Sequence, residues 1–263
     1  MNTVLDRIVA SKREEIALVK KRRDLQALRD AVHMAPEIRN FHEALQRTNR
    51  IRLLAEVKKA SPSKGVIRPH FHPVDIARAY QAGGAAAISV LTDEPFFQGK
   101  LDYLSHIRDA VSIPILRKDF ILDEYQIYEA RVAGADAVLL IAECLPGEEL
   151  PQLYECVRSL GMHALIELYE PVHLDRVLAT GTPLVGVNNR DLRTFAVELE
   201  HVIRLRARIP TDVTLVAESG ISNHDDVRRL EDAGIDAILV GESLMRQHDV
   251  RQAVELLMQF HPE

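Results

Sequence analysis

From Ile51 onward the chain alternates short apolar runs with longer amphipathic stretches. The runs are IRLLAEV from Ile51, AAAISVL from Ala85, IPILRKDF from Ile113, AVLLIA from Ala137, HALIEL from His163, LVGVNN from Leu184, TLVAES from Thr214 and AILVGES from Ala237. Such runs are what the strands of a parallel sheet covered on both faces require. The stretches between them carry a helical period. Leu150, Leu153, Val157 and Leu160 fall on one stripe, with Pro151 early and Gly161 past the end. Another helix is predicted from Ser222, with Asp225 three residues on and Val227 and Leu230 on its apolar side. Three segments echo one another: AGGAAAISV from Ala82, AGADAVLLI from Ala133 and AGIDAILVG from Ala233 each predict a helix that ends on glycine and leads into a strand. Eight βα units without a break in composition predict an α/β chain folded as one (β/α)8 TIM barrel, rather than a doubly wound sheet with a second domain.

Ahead of the barrel, Leu5, Ile8, Val9, Ile16 and Val19 recur at helix spacing, and Thr3 with Asp6 offers a capping pair. Residues 1–48 are read as an N-terminal helical extension, a lid or brace, within a single domain spanning 1–263. The charged run from Lys12 to Arg23 reads as a solvated helix face. The N-terminus lacks an apolar leader core, and no apolar stretch nears the roughly 20 residues of a membrane span. The expectation is a cytoplasmic protein with no membrane partner.

Composition narrows the classes further. With 47% hydrophobic and 27% charged residues over 263 positions, a folded core is expected rather than disorder. A formal net charge of -6 gives no general attraction for nucleic acid. Cys144 and Cys156 form no CxxC pair and are read as small apolar residues in a reducing compartment. His70 and His72 share a strand-like spacing but have no third ligand nearby, so no metal is expected. The signatures of a Rossmann cofactor, a P-loop and a serine-hydrolase elbow do not occur.

In a barrel the informative polar residues sit at the C-terminal strand ends, where the loops assemble the site. The first run places Glu56 and Lys58 on one face by two-residue periodicity, and the third does the same for Lys118 and Phe120. Glu167 ends the fifth, Asn188 opens the NNRDL with which the sixth ends, and Glu218, Ser219 and Gly220 close the seventh. A structural layer of salt bridges is the competing explanation, since buried ions persist only when paired. The number of charges arriving together favours a site. Two neighbouring lysines would depress each other's basicity while carboxylates oppose this, a balance that can leave one ammonium acidic enough to donate a proton. Gly241, Glu242 and Ser243 closing the eighth run, with Gly220, suggest a main-chain phosphate cradle, provided that the Glu242 side chain points away. Phe96 and Phe97 read equally as loop anchors or as a wall of an aromatic pocket.

These motifs, in order, resemble the indole-3-glycerol phosphate synthase family across essentially the whole chain: LDRIVASKREEI, FHEAL, AEVKKASPSKG, SVLTDEPFFQG, PILRKDFI, GADAVLLI, LIELYE, VGVNNRDL, VAESGI and LVGESLM. The resemblance implies a TIM barrel with an N-terminal extension and a cofactor-free lyase of tryptophan biosynthesis. The substrate that the resemblance implies is a small molecule, 1-(2-carboxyphenylamino)-1-deoxyribulose 5-phosphate. It further implies Lys118 as general acid and Glu167 as general base, with Glu56 and Lys58 assisting and Asn188 and Ser219 orienting the reacting centre. Arg190 would bind the carboxylate side. Ser61, Phe97, Phe120, Leu139, Leu192 and Glu218 would line the pocket, and Gly220, Gly241 and Glu242 would hold phosphate. A monomer is expected, with association with neighbouring pathway enzymes left open. The rival activity on the same barrel is a phosphosugar isomerase or a Schiff-base aldolase using Lys118 or Lys58.

Overall fold

The computed structural model describes residues 3–191 and 194–259. All eight apolar runs become parallel strands: β1 Arg52–Val57, β2 Ala87–Leu91, β3 Ile115–Lys118, β4 Ala137–Ile141, β5 His163–Leu168, β6 Leu184–Asn188, β7 Thr214–Glu218 and β8 Ala237–Val240. Each pairs with the next, and β8 pairs with β1, which closes the barrel. The strands are buried almost throughout because helices cover the outside while side chains fill the inside. Registers such as Glu56 opposite Ser89, Leu91 opposite Lys118 and Asn188 opposite Glu218 bring the polar strand ends to one rim.

The repeated helix–glycine–strand segments have a shared local cause. Gly84, Gly134 and Gly234 adopt φ values of 96°, 88° and 78°, which side chains disfavour, so each helix stops there. Two residues on, the N–H groups of Ala86, Asp136 and Asp236 bond to Leu53, Ile115 and Leu215 of the preceding strand. The two aspartates add a return bond, since their carboxylates accept from the N–H of Ile115 and of Leu215, each at 2.8 Å.

The helix predicted from Ser222 spans His224–Asp232. Its capping box joins Asn223 and Asp226, one residue beyond the predicted pair. Ser222 contributes instead through its N–H and hydroxyl, both donating to Asp226 at 2.9 Å.

Among the described residues, three α-helices and a short 3-10 helix, Val32–Met34, precede β1: α1 Val4–Arg22, α2 Leu25–Ala31 and α3 Phe41–Leu45. Thr3 and Asp6 form the expected capping box on α1. This helix lies over the C-terminal mouth of the barrel, where Val4, Leu5 and Ile8 face the cavity. The second packs along helix Glu124–Val132. The third closes the opposite end: Phe41 and Leu45 are fully buried, Ala44 accepts from Arg52 Nε at the start of β1, and His42 Nε2 lies 3.1 Å from Thr214 Oγ1 at the start of β7. The extension therefore reaches from one end of the barrel to the other.

One expectation for α1 fails. Lys12 does not belong to a solvated face; it is 1% exposed and stands 3.0 Å from both Asp93 and Asp119, the acidic partners that make its burial tolerable. Arg13, Glu14 and Lys20 to Arg23 are exposed as expected. No helix among the described residues is long and apolar enough to cross a membrane. Cys144 is buried and Cys156 half-buried, and burial pushes both thiols up, that of Cys156 to about 11.

Candidate active site

Period-two alternation along β1 and β3 turns Glu56 and Lys118 inward at the rim, beside Glu167 from β5 and Glu218 from β7. Lys118 Nζ lies 3.4 Å from a carboxylate oxygen of Glu167, 3.4 Å from one of Glu218 and 3.9 Å from one of Glu56. The other oxygen of Glu56 takes Lys58 at 2.5 Å, so this carboxylate stands between the two lysines. The arrangement reverses the expectation that a lysine pair would leave an acidic ammonium. Burial pushes Lys118 down, but Glu167, Glu218 and Glu56 together hold its ammonium well above the usual lysine value. Glu56 is likewise pushed up by burial, yet Lys58 and Lys118 hold it below the usual carboxylate range. Glu218 goes the other way: burial first, then the neighbouring Glu167, raise it well above that range against the pull of Lys118.

Asn188 sets the orientation on the Glu167 side. Its Nδ2 donates to Glu167 Oε1 at 3.0 Å while its Oδ1 accepts the N–H of Arg190 at 3.0 Å. The adjacent Asn189 donates to the carbonyl of Ser219 at 3.2 Å and accepts from Val202 N–H, steadying the turn after β7. In that turn Ser219 and Gly220 have φ values of 67° and 82°. A left-handed serine is an uncommon conformation that the surrounding contacts must maintain.

Glycine is required at two places for close approach. A methyl group on Gly241 would overlap the Glu56 carboxylate, and one on Gly186 would overlap that of Glu218.

These residues line a cavity of about 400 Å³ at the mouth. Phe97 and Phe120 form part of its wall with ring centroids 6.2 Å apart, so Phe97 belongs to an aromatic pocket rather than serving as a loop anchor only. Ser61, from the loop after β1, and Leu139, from β4, also face the cavity. Gly220, Gly241 and Glu242 also line it. The Glu242 carboxylate accepts from Arg246 at 3.0 Å and lies 3.8 Å from Arg190, so two guanidiniums offset its charge. Leu192 lies outside the described residues. Every other residue that the resemblance implied for the site borders this one cavity, whereas Phe96 does not. Sequence reasoning missed Val4, Leu5 and Ile8, because the apolar stripe of α1 carries no mark of what it covers. Arg246, four residues after Glu242 on the short helix Glu242–Met245 and its C-cap, was legible from that spacing alone.

The geometry supplies a charged donor, adjacent carboxyl groups, an aromatic wall and a glycine-rich rim with arginines. A family model described as indole-3-glycerol phosphate synthase matches residues 5–257. A Rhodopirellula baltica protein with that name is 56% identical over 256 residues, covering 97% of this chain and 99% of its own. A Paracidovorax citrulli protein of the same name is 48% identical, with 98% and 99% covered. Among solved structures, thiamine phosphate pyrophosphorylase from Pyrococcus furiosus aligns with a TM-score of 0.62 at 20% identity, over 84% of this chain and 96% of that one, a likeness of fold alone.

Proposed function

The chain belongs to the indole-3-glycerol phosphate synthase family, and on that premise we propose how its residues divide the work. The enzyme is a carboxy-lyase of tryptophan biosynthesis: it closes the five-membered ring of 1-(2-carboxyphenylamino)-1-deoxyribulose 5-phosphate and releases carbon dioxide and water.

The aryl carbon that bears the carboxylate attacks the ketone carbon, and negative charge grows on the ketone oxygen. Lys118 meets that charge and transfers its proton. An ammonium held as firmly as this one is a weak acid toward a neutral ketone but a strong donor toward a developing alkoxide, so transfer follows the build-up of charge. The carbon–carboxylate bond then breaks, its electrons restore the aromatic ring, and carbon dioxide departs. In the last step the new hydroxyl leaves as water with a second proton, assigned to Lys58, while Glu167 takes the proton from the ring CH₂ beside nitrogen. The balance is one proton consumed for each carboxylate lost. Asn188 presents Glu167 for this task, and Glu56 keeps Lys58 beside Lys118.

Phe97 and Phe120 would hold the aryl ring, Arg190 its carboxylate, and the main chain at Gly220, Gly241 and Glu242 the phosphate. Ser61, Leu139, Glu218 and Ser219 complete the pocket. A monomer is proposed, working in the cytoplasm and independent of nucleic acid. The observation that carries the reading is Lys118 Nζ within 3.4 Å of two carboxyl groups and 3.9 Å of a third, inside the cavity that the phenylalanine pair borders. It also disfavours the imine-forming rival, which needs a neutral lysine. Mixing the protein with the carboxyphenylamino sugar phosphate and following indole absorbance and released carbon dioxide tests the assignment; binding without product would overturn it.

A further inference from the structure

The mechanism above makes no use of Lys12, although this ammonium is among the most deeply enclosed charges in the protein. Its neighbours are Glu15 at 2.8 Å, Asp93 at 3.0 Å and Asp119 at 3.0 Å. A buried ion cluster is weak evidence for stability, because apolar residues of similar volume do as well or better. What the cluster ties together is more telling.

Asp93 follows β2, and its Oδ1 caps the turn Glu94–Phe97 by accepting the N–H of Phe96 at 2.9 Å. Asp119 follows Lys118 directly, and its Oδ1 accepts the N–H of Phe120 at 2.8 Å. The other oxygen of Asp119 is held by Thr92 Oγ1 at 2.5 Å and Arg117 Nη2 at 3.1 Å. Lys12 thus grips two aspartates: Asp119 fixes the backbone at Phe120, and Asp93, through the N–H of Phe96, caps the turn Glu94–Phe97 that ends on Phe97, and these two phenylalanines face each other across 6.2 Å. The same helix contributes Val4, Leu5 and Ile8 to the cavity roof. Without the ammonium, Asp93 and Asp119 would be two enclosed carboxylates with less to hold them together, and the two loops would lose their common anchor.

We infer that Lys12 is a positioning residue, which sets the spacing of the Phe97–Phe120 wall and thereby the affinity for the aryl end of the substrate. The inference rests on the reading that this wall holds the aryl ring. It differs from a structural brace in that it predicts an effect at one end of the substrate only.

The test compares Lys12→Met with Lys12→Arg, using three readouts on folded protein: KM and kcat with the full substrate, the inhibition constant of N-(2-carboxyphenyl)glycine as an aryl-end probe, and that of inorganic phosphate. Lys12→Met is expected to raise KM and the aryl-end constant about tenfold each, with phosphate unchanged, as small misplacements at a binding wall do. Lys12→Arg should stay near wild type. Where Lys12→Met folds poorly, the double variant Lys12→Met with Asp93→Asn removes a stranded carboxylate and is expected to recover folding while keeping weak aryl binding. Wild-type aryl affinity in a folded Lys12→Met protein overturns the inference. So does an equal loss of aryl and phosphate affinity, or failure of both the single and the double variant to fold. Phe97→Ala separates the two readings. If it weakens the aryl probe and Lys12→Met does not, only the role of Lys12 falls; if it leaves the aryl probe unchanged, the wall reading fails and takes the inference with it.

Discussion

Lys118 derives its character from three carboxyl groups that arrive from three other strands, so its proton is held by the barrel rather than by its own segment. Lys118→Ala and Glu167→Gln are expected to fold normally, by circular dichroism and melting temperature, and to lower kcat by roughly 10²–10⁴-fold, the range of general acid–base contributions. Near-normal turnover in either variant would remove the roles assigned here. Gly241→Ala belongs to the same scale: the added methyl displaces the Glu56 carboxylate from Lys58, so both kcat and phosphate affinity should fall in steady-state kinetics, whereas Gly234→Ala, whose added carbon meets open space, should affect only stability. The residues of these motifs were legible because period-two alternation and the strand-end rule place them without any three-dimensional information. The direction in which Lys118 shifts was not, since it depends on distances between strands remote in sequence.

At the scale of elements, the short helix α3 shows how an unremarked segment acquires a titration. His42 on α3 and His163 at the start of β5 lie with ring centroids 6.5 Å apart at the closed end of the barrel. Burial lowers both below the ordinary histidine value, and for His163 the neighbouring His42 adds to it while Asp136 opposes it. The folded state therefore binds these protons less readily than the unfolded chain. The stability contributed is fully present above the unfolded histidine value, about 6.5, and is lost as pH falls through the lower folded values. Melting temperature measured from about pH 7.5 to 5 should decline, and less steeply in His42→Gln; equal slopes would refute the pairing. The α1 helix makes the contrasting case. Its capping pair and apolar spacing were readable in sequence, but its charged run looked uniformly solvent-facing. Periodicity separates apolar from polar positions, and it does not distinguish a lysine in water from one enclosed by aspartates of another element.

For the whole molecule, the two ends of the barrel carry different duties, as parallel strands dictate by placing all their C-terminal ends on one side. Asp136 lies at the closed end, fully buried, and its carboxylate accepts from the N–H groups of Arg39 at 2.7 Å and Ile115 at 2.8 Å and from the Arg108 guanidinium. Asp136→Ala strands that guanidinium and is expected to cost roughly 3–5 kcal/mol in denaturant titration, with kcat and KM unchanged below the melting transition. A matching loss of turnover would mean that the ends are coupled. The chain contains no tryptophan, so indole made by the protein should be visible in fluorescence against a low background. Borohydride treatment in the presence of substrate should leave the chain mass unaltered, while a reduced adduct on Lys118 or Lys58 would favour the imine chemistry.

The amino-acid order by itself determined the eight strands, the helix stops at Gly84, Gly134 and Gly234, and the set of polar residues at the strand ends, because each is encoded by periodicity or by backbone preference within a few residues. Only the tertiary structure decided that α1 roofs the mouth while α3 closes the base, that Lys12 is enclosed, and that Lys118 is held charged rather than made acidic. Those outcomes follow from burial and from Coulomb interactions between elements up to about a hundred residues apart, and both depend on distances that no local pattern contains.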